Sequence, residues 1–217
     1  MLNKVFVKTY APTAVDEREV LRYAGYRGEI SAQIQNVLSE SVKESENAFS
    51  YRVCYLATTA KNLLDKWQDG GNLLCARLQD AQYAIVFAAT VGLAIDRLIL
   101  KEESVSPTKA LLLQALGAER IESLCDAFCN ELKTECEKKG YFTGVRFSAG
   151  YGDFPLEKQK DIFAMLSPEK TIGLTLNDSL LMSPTKSVTA IIPIGKKAEN
   201  LARGCAVCNK KDCQYKK

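Results

Sequence analysis

The chain has 217 residues, of which 47% are hydrophobic and 25% are charged, a composition typical of a globular protein with a substantial core. Its formal net charge of +3 gives no reason to expect nucleic-acid binding. The chain contains no histidine, which excludes Ser–His and Cys–His nucleophile pairs and histidine-ligated metals within it.

The first 50 residues are predicted to form a helical N-terminal part. Thr13 and Asp16 resemble a capping box and open a short helix that reaches Tyr23 before two glycines end it. Ser31 then caps a longer helix, whose apolar residues follow the helical period. Both helices lie within the first quarter of the chain.

The middle of the chain changes character. Three short apolar segments are predicted strands, namely residues 51–58, 72–78 and 83–90. The alanines of the third segment also leave a helix possible. Residues 93–100 and 106–138 are predicted helices, and Gly117 is a candidate break in the second.

The last third alternates in the manner of a sheet. Residues 145–155 predict a strand that runs into a glycine loop, and a helix follows over 156–166. Apolar residues alternate with small or polar ones over 172–176 and 188–194, which indicates half-buried strands. Pro193 places the second of these strands at an edge or near its end.

Long helices followed by strands in a meander predict an α+β fold with an antiparallel sheet. We expect one domain over residues 1–200 and a Cys- and Lys-rich tail over 201–217. Residues 1–7 have no signal-peptide pattern, and the longest apolar run, 83–95, is shorter than the roughly 20 residues of a membrane span. We therefore expect a cytoplasmic protein with no membrane partner and reduced cysteines.

The strongest local motif is RFSAGYGDFP, residues 146–155. Arg146 can bind a carboxylate through two parallel hydrogen bonds, and the two glycines let the backbone approach a ligand closely. Tyr151 between them offers an aromatic face to a base or a cation. Together these groups suit a ligand with a carboxylate, a ring and a positive charge. From spacing alone, a tight turn with an unrelated Arg nearby is an equally good interpretation.

This segment resembles the ligand loop of the activation domain of cobalamin-dependent methionine synthase. Three further segments resemble that family in the same order, namely EVLRYAGYRG at 19–28, FAATVGLAIDRLI at 87–99 and IGLTLNDSLLMSPTKSVTAII at 172–192. The resemblance therefore spans most of the chain. It implies an activation-domain-like fold in which N-terminal helices and flanking helices surround a twisted antiparallel sheet.

The resemblance implies that the chain binds S-adenosyl-L-methionine (AdoMet) as a component of cobalamin-dependent methionine synthase. In that role it would support reductive remethylation of the cobalamin of a methionine synthase or a related corrinoid methyltransferase. A corrinoid-bearing methionine synthase subunit would hold the cobalamin, and a flavoprotein reductant would supply an electron. Such chemistry requires positioning and exclusion of water rather than a general base, so a chain without histidine suffices.

Carried over residue by residue, the resemblance implies that Arg146 binds the AdoMet carboxylate. Ser148 and Gly150 would contribute backbone groups, and Tyr151 would pack beside the ligand. Asp126, on the preceding helix, would lie toward the ligand ammonium. The chain departs from the large members of the family in lacking prolines beside position 148 and a tyrosine late in the sheet.

The tail carries a second motif, three closely spaced cysteines among basic residues. Such thiols can hold zinc or an iron–sulfur cluster, although a fourth ligand is missing locally. The candidate ligands are Cys205, Cys208 and Cys213. A redox or partner-contact tail and a plain reduced tail are alternatives that the spacing leaves open.

A different class of function also fits the sequence. The chain could be a non-catalytic corrinoid-protein chaperone or a metal-carrying adaptor on the same scaffold, which the missing tyrosine and the cysteine tail motivate. An independent small-molecule methyltransferase is disfavoured, because residues 1–51 contain no glycine-rich loop after a first strand.

Overall fold

A five-stranded antiparallel sheet forms the centre of the computed structural model, which describes residues 2–197. The strands of the chain are β1 (Val5–Thr9), β2 (Arg52–Thr59), β3 (Tyr83–Thr90), β4 (Phe142–Thr143), β5 (Thr175–Leu176), β6 (Met182–Ser183) and β7 (Ser187–Gly195). The order across the main sheet is β1-β2-β3-β7-β4, and β5 pairs with β6 in a separate ribbon. The chain therefore builds its sheet from strands far apart in sequence.

Helices cover both faces of this sheet. They are α1 (Glu17–Tyr23), α2 (Ala32–Ser45), α3 (Ala60–Lys66), α4 (Asn72–Gln79), α5 (Ala94–Glu103), α6 (Pro107–Glu137), α7 (Gln159–Leu166) and α8 (Pro168–Thr171). Within residues 2–197, no helix combines the length and the apolar character that crossing a membrane requires.

The alternation of side chains along each strand produces two buried layers. Leu56 and Val86 pack toward α3, α4 and α7, whereas Val53 and Phe87 pack toward α5 and α6. Because both faces are covered, β3 is buried along nearly its whole length. The predicted α+β class, with an antiparallel sheet flanked by helices, is confirmed.

Helix α6 is the longest element, and it contacts both the sheet and the N-terminal helices. Its central residues pack on the sheet, while α1 and α2 pack on its first half through Val20, Leu38 and Leu116. The predicted break at Gly117 is wrong, since α6 runs unbroken over 31 residues. Glycine instead makes room at this point, because a Cβ there would lie 2.9 Å from Cε of Lys186.

Two further predictions about elements are wrong. Residues 72–78 form the helix α4 rather than a strand, since a short apolar run does not distinguish the two by itself. The N-terminal part is not wholly helical, because Val5–Thr9 forms the edge strand β1, paired with β2. Five alternating residues are too weak a signal beside two well-capped helices.

The predicted helix caps and the predicted position of Pro193 agree with the structure in part. Ser31 caps α2 as predicted, accepting a hydrogen bond from the Ile34 amide. The cap of α1 is Asp16 itself, whose carboxylate accepts from two amides of the first turn. Strand β7 lies between β3 and β4 rather than at an edge, and Pro193 stands near its end.

Candidate functional site

The segment that carries Arg146 is held against β7 by backbone hydrogen bonds. Phe147 exchanges two of them with Ile191, at 2.8 and 2.9 Å, and its side chain is buried in the core. Because neighbouring side chains of an extended chain point to opposite faces, Arg146 and Ser148 face the other way, toward α6. The core position of Phe147 thereby orients the two residues on either side of it.

The glycine loop comes directly after this segment in the chain and forms a tight turn. Gly150 and Gly152 have φ values of +84° and +61°, in a region that other residues rarely adopt. The Gly150 amide donates to the Phe154 carbonyl at 2.9 Å, and the Tyr151 amide donates to the Ser148 carbonyl at 3.1 Å. Tyr151 projects from this turn with 46% of its surface exposed.

Arg146 lies between two carboxylates of α6. Its Nη2 donates a hydrogen bond to Glu122, and its Nη1 lies 3.9 Å from Oδ1 of Asp126. Nη1 is buried, and it has no hydrogen-bond partner among residues 2–197. Burial alone would lower the pKa of Arg146, but the Glu122 and Asp126 carboxylates favour the charged guanidinium and raise the pKa. The guanidinium therefore stays charged.

The acidic face of α6 forms one side of a cleft. Glu119, Glu122 and Asp126 follow one another at intervals of three and four residues, which places them on one face of the helix. The three differ in exposure, because the Asp126 side chain is 71% exposed and that of Glu122 is 40% exposed, whereas Glu119 is buried. The sequence prediction named only Asp126. The helical spacing of the other two acids was the signal that could have revealed them.

The opposite side of the cleft is α1 with the loop that precedes it, and a buried arginine of α6 fastens this loop. Arg120 donates to the carbonyls of Thr13 and Ala14 at 2.6 and 2.8 Å and pairs with Glu119 at 2.5 Å. Glu119 in turn accepts from the Asp16 amide at 3.3 Å. This network was not predicted, since nothing in the sequence marks Arg120 as buried.

These walls enclose a cleft of about 1000 Å³, at the upper end of the volumes typical of small-molecule sites. Of the predicted residues, Arg146, Ser148, Tyr151 and Asp126 line it together. Gly150 shapes the loop instead, and its amide is already engaged, so a ligand contact from it would have to use its carbonyl. Arg77 of α4, which was not predicted, also lines the cleft, with its guanidinium 5.3 Å from the Phe147 ring centre.

The arrangement can hold both ends of an amino-acid group. A guanidinium with an unused buried N–H is a good partner for a carboxylate, and the α6 acids can accept from an ammonium group. Tyr151, which is 46% exposed, adds aromatic surface to the same cleft. The site thus has the donors, acceptors and apolar surface for a zwitterionic ligand with a ring.

The cysteines of the described chain do not form a metal centre. No group of three or more His, Cys, Asp or Glu side chains that could hold a metal occurs within residues 2–197. Cys125 is fully buried beside the site, and burial raises the pKa of its thiol. The predicted ligands Cys205, Cys208 and Cys213 lie outside the described residues, so the zinc or iron–sulfur site stays a prediction.

Two of the three comparisons with known proteins found a match, one to a protein family and one to a solved structure. The family model of the vitamin B12 dependent methionine synthase activation domain matches residues 74–214, more than half of the chain. A crystal structure of the MetH reactivation domain bound to AdoHcy matches with a TM-score of 0.62 and 15% sequence identity, over 92% of this chain and 81% of that one. At this identity the likeness shows a shared fold. The comparison with curated proteins gave no match.

Proposed function

Since the chain belongs to the family of vitamin B12 dependent methionine synthase activation domains, we propose that its cleft binds AdoMet. We further propose that it supports reductive remethylation of cobalamin held by a corrinoid-bearing methionine synthase subunit, with a flavoprotein as reductant. The related MetH reactivation domain holds AdoHcy, the demethylated form of AdoMet, which supports this class of ligand.

The observation that carries the proposal is the buried Nη1 of Arg146. A buried N–H without a partner is costly, and it is rare in folded proteins. Glu122 holds Nη2 and so fixes the direction of the guanidinium, and Nη1 is left without a hydrogen bond beside the cleft that Arg146 lines. A ligand carboxylate would satisfy this N–H and bring a full charge to it.

The remaining lining suits the other parts of AdoMet. Asp126 and Glu122 lie near the Arg146 end, where the ammonium of the same amino-acid group would be. Tyr151 offers exposed aromatic surface for the adenosyl part. When bound, AdoMet supplies a methyl group on a sulfonium sulfur, which leaves as a neutral thioether when the methyl group is transferred. Since this leaving group needs no proton, the chain has no proton to transfer.

In the proposed role a protein partner must contact the rim of the site, because the methyl group of AdoMet has to come close to a cobalt that this partner holds. Leu73, Tyr151 and Leu156 surround the glycine loop and are 51%, 46% and 42% exposed. Leu156 and Leu73 approach Gly150 and Gly152 respectively, so the three exposed apolar side chains lie together. We propose that the corrinoid-bearing subunit docks on this rim.

The test is methylation of the partner. The chain is mixed with the corrinoid-loaded subunit, a flavoprotein reductant and AdoMet, and methylcobalamin formation is followed by its visible spectrum. Arg146→Ala should lower the rate at limiting AdoMet by at least about tenfold, since one charged hydrogen bond contributes that much. The matched control is Arg97→Ala, an exposed arginine of α5 that does not line the cleft. Equal rates for the two variants would contradict the proposed role of Arg146.

A further inference from the structure

The glycine loop is fastened to a neighbouring helix through a residue that the proposed site does not use. Asp153 follows Gly152 in the loop, and its carboxylate accepts hydrogen bonds from the amides of Asn72 and Leu73, at 2.6 and 3.3 Å. We infer that Asp153 is a positioning residue for AdoMet, an inference that rests on the proposed function. It holds the loop in its binding conformation before the ligand arrives.

The helix that receives Asp153 lacks a cap of its own. The residue before α4 is Gly71, which has no side chain to accept from the first amides of the helix. Asp153 supplies this missing acceptor from 81 positions further along the chain. A carboxylate at this end also interacts favourably with the helix dipole. Helix α4 and the glycine loop therefore stabilise each other.

The backbones approach so closely at the start of α4 that only glycine fits at position 71. A Cβ at Gly71 would lie 2.5 Å from the Asp153 carbonyl oxygen, and its φ is +83°. A Cβ at Gly152 would lie 3.0 Å from Cδ1 of Leu73. Gly71 thus makes room for the Asp153 backbone, while Gly152 supplies a positive φ that the loop requires.

The loop needs this attachment because it is intrinsically free to move. Gly150 and Gly152 lose more conformational freedom on ordering than other residues, and Tyr151 stands between them. If the ligand had to order the loop, that entropy would be subtracted from the free energy of binding. Attachment through Asp153 removes this loss, and Phe154 adds a buried anchor with its ring centre 5.5 Å from that of Trp67.

The same contact aligns a second wall of the cleft. Helix α4 carries Arg77, whose guanidinium lies over the Phe147 ring. Because Asp153 ties the start of α4 to the loop, it sets the position of Arg77 relative to Tyr151. Loss of the carboxylate should therefore weaken ligand binding without removing any group that touches the ligand.

Calorimetric titration of AdoMet into the wild type and three variants tests this role. Asp153→Ala should raise the dissociation constant by about tenfold or more, and Asp153→Asn, which keeps an acceptor oxygen, should raise it less. Gly71→Ala is compared with Gly28→Ala, because both glycines have φ near +80° but a Cβ at Gly28 meets nothing within 4 Å. The Gly71 variant should lose several-fold more affinity than its control. Equal affinities for Asp153→Ala and the wild type, or for the two glycine variants, would overturn the inference.

Hydrogen exchange of the ligand-free proteins separates this inference from the proposed function. Asp153→Ala should speed exchange at the amides of Asn72, Leu73 and the loop, while the melting temperature stays above the temperature of the experiment. If the wild type fails to bind AdoMet, the proposed function fails, and the exchange data still decide whether the carboxylate orders the loop. Unchanged exchange in the variant would overturn the attachment. If the alanine variant does not fold, Asp153→Asn and Gly71→Ala provide the same comparison.

Discussion

Arg146 is partly buried, and its two terminal nitrogens have different contacts. One is held by Glu122, and the other is buried without a hydrogen-bond partner in the described chain. Asp126 is farther away and mostly exposed, so water screens its attraction. The two acids therefore make unequal contributions, and Glu122 is the stronger partner of the guanidinium.

We predict that Glu122→Gln weakens AdoMet binding more than Asp126→Asn does. The first change removes the carboxylate that orients Arg146 and that can accept from the ligand ammonium, so about a tenfold loss of affinity is expected. The second removes a mostly exposed charge, for which less than about fivefold is expected. Titration calorimetry of both variants measures the difference. The reverse order would show that Asp126 is the main ammonium partner.

At the scale of single residues, the sequence predicted part of the site. The motif around Arg146 and Tyr151 predicted a ligand loop because glycines, an arginine and an aromatic ring occur together in it. Four of the five predicted binding residues line one cleft. Glu122 and Arg77 were missed, since their roles depend on which helix faces which loop, and that is decided by packing.

Among the elements, α1 depends on α6 for its position. Arg120 is nearly fully buried, and it reaches the loop before α1 through two carbonyl groups. Its charge is balanced by Glu119, which is buried as well. Removing one member of such a pair leaves the other charge buried and unpaired, and that is far more costly than losing an exposed ion pair.

We predict that Arg120→Met destabilises the protein by about 3–5 kcal/mol, because Glu119 is then buried without its partner. The double variant Glu119→Gln/Arg120→Met should recover part of this loss. Denaturant unfolding of the single and double variants measures both effects. A loss below about 1 kcal/mol in the single variant would mean that water reaches Glu119 readily.

The elements that the sequence predicted correctly have strong local signals. Ser31 caps α2, and the alternation near the end of the chain becomes β7. Residues 72–78 were mispredicted because the start of α4 has no capping side chain of its own, and its cap comes from Asp153. A capping residue that lies 81 positions away cannot be recognised from the residues next to the helix.

For the whole molecule, the cleft forms where three separate parts of the chain meet. Helix α1 is packed on the first half of α6, the sheet supports its middle, and β7 holds the segment of Arg146. The edge strand β1 is tied to the far end of α6, since Lys8 and Tyr10 both donate to Glu131 and lower the pKa of that carboxyl group. The fold thus holds the two walls of the cleft at fixed places.

The absence of histidine is consistent with this arrangement at the scale of the molecule. The proposed role requires binding, orientation and access for a partner, and none of these needs a side chain that transfers a proton near neutral pH. A cleft with an exposed apolar rim meets those needs. Binding of AdoMet is therefore tested most directly without a partner.

The decisive measurement is a calorimetric titration of AdoMet into the isolated chain and into Arg146→Ala, with Arg97→Ala as the control. We predict saturable binding at one site by the wild type and the control, and at least about tenfold weaker binding by Arg146→Ala. Binding of equal strength by all three proteins would contradict the proposed contact between AdoMet and Arg146. No binding by the wild type would contradict the proposed function itself.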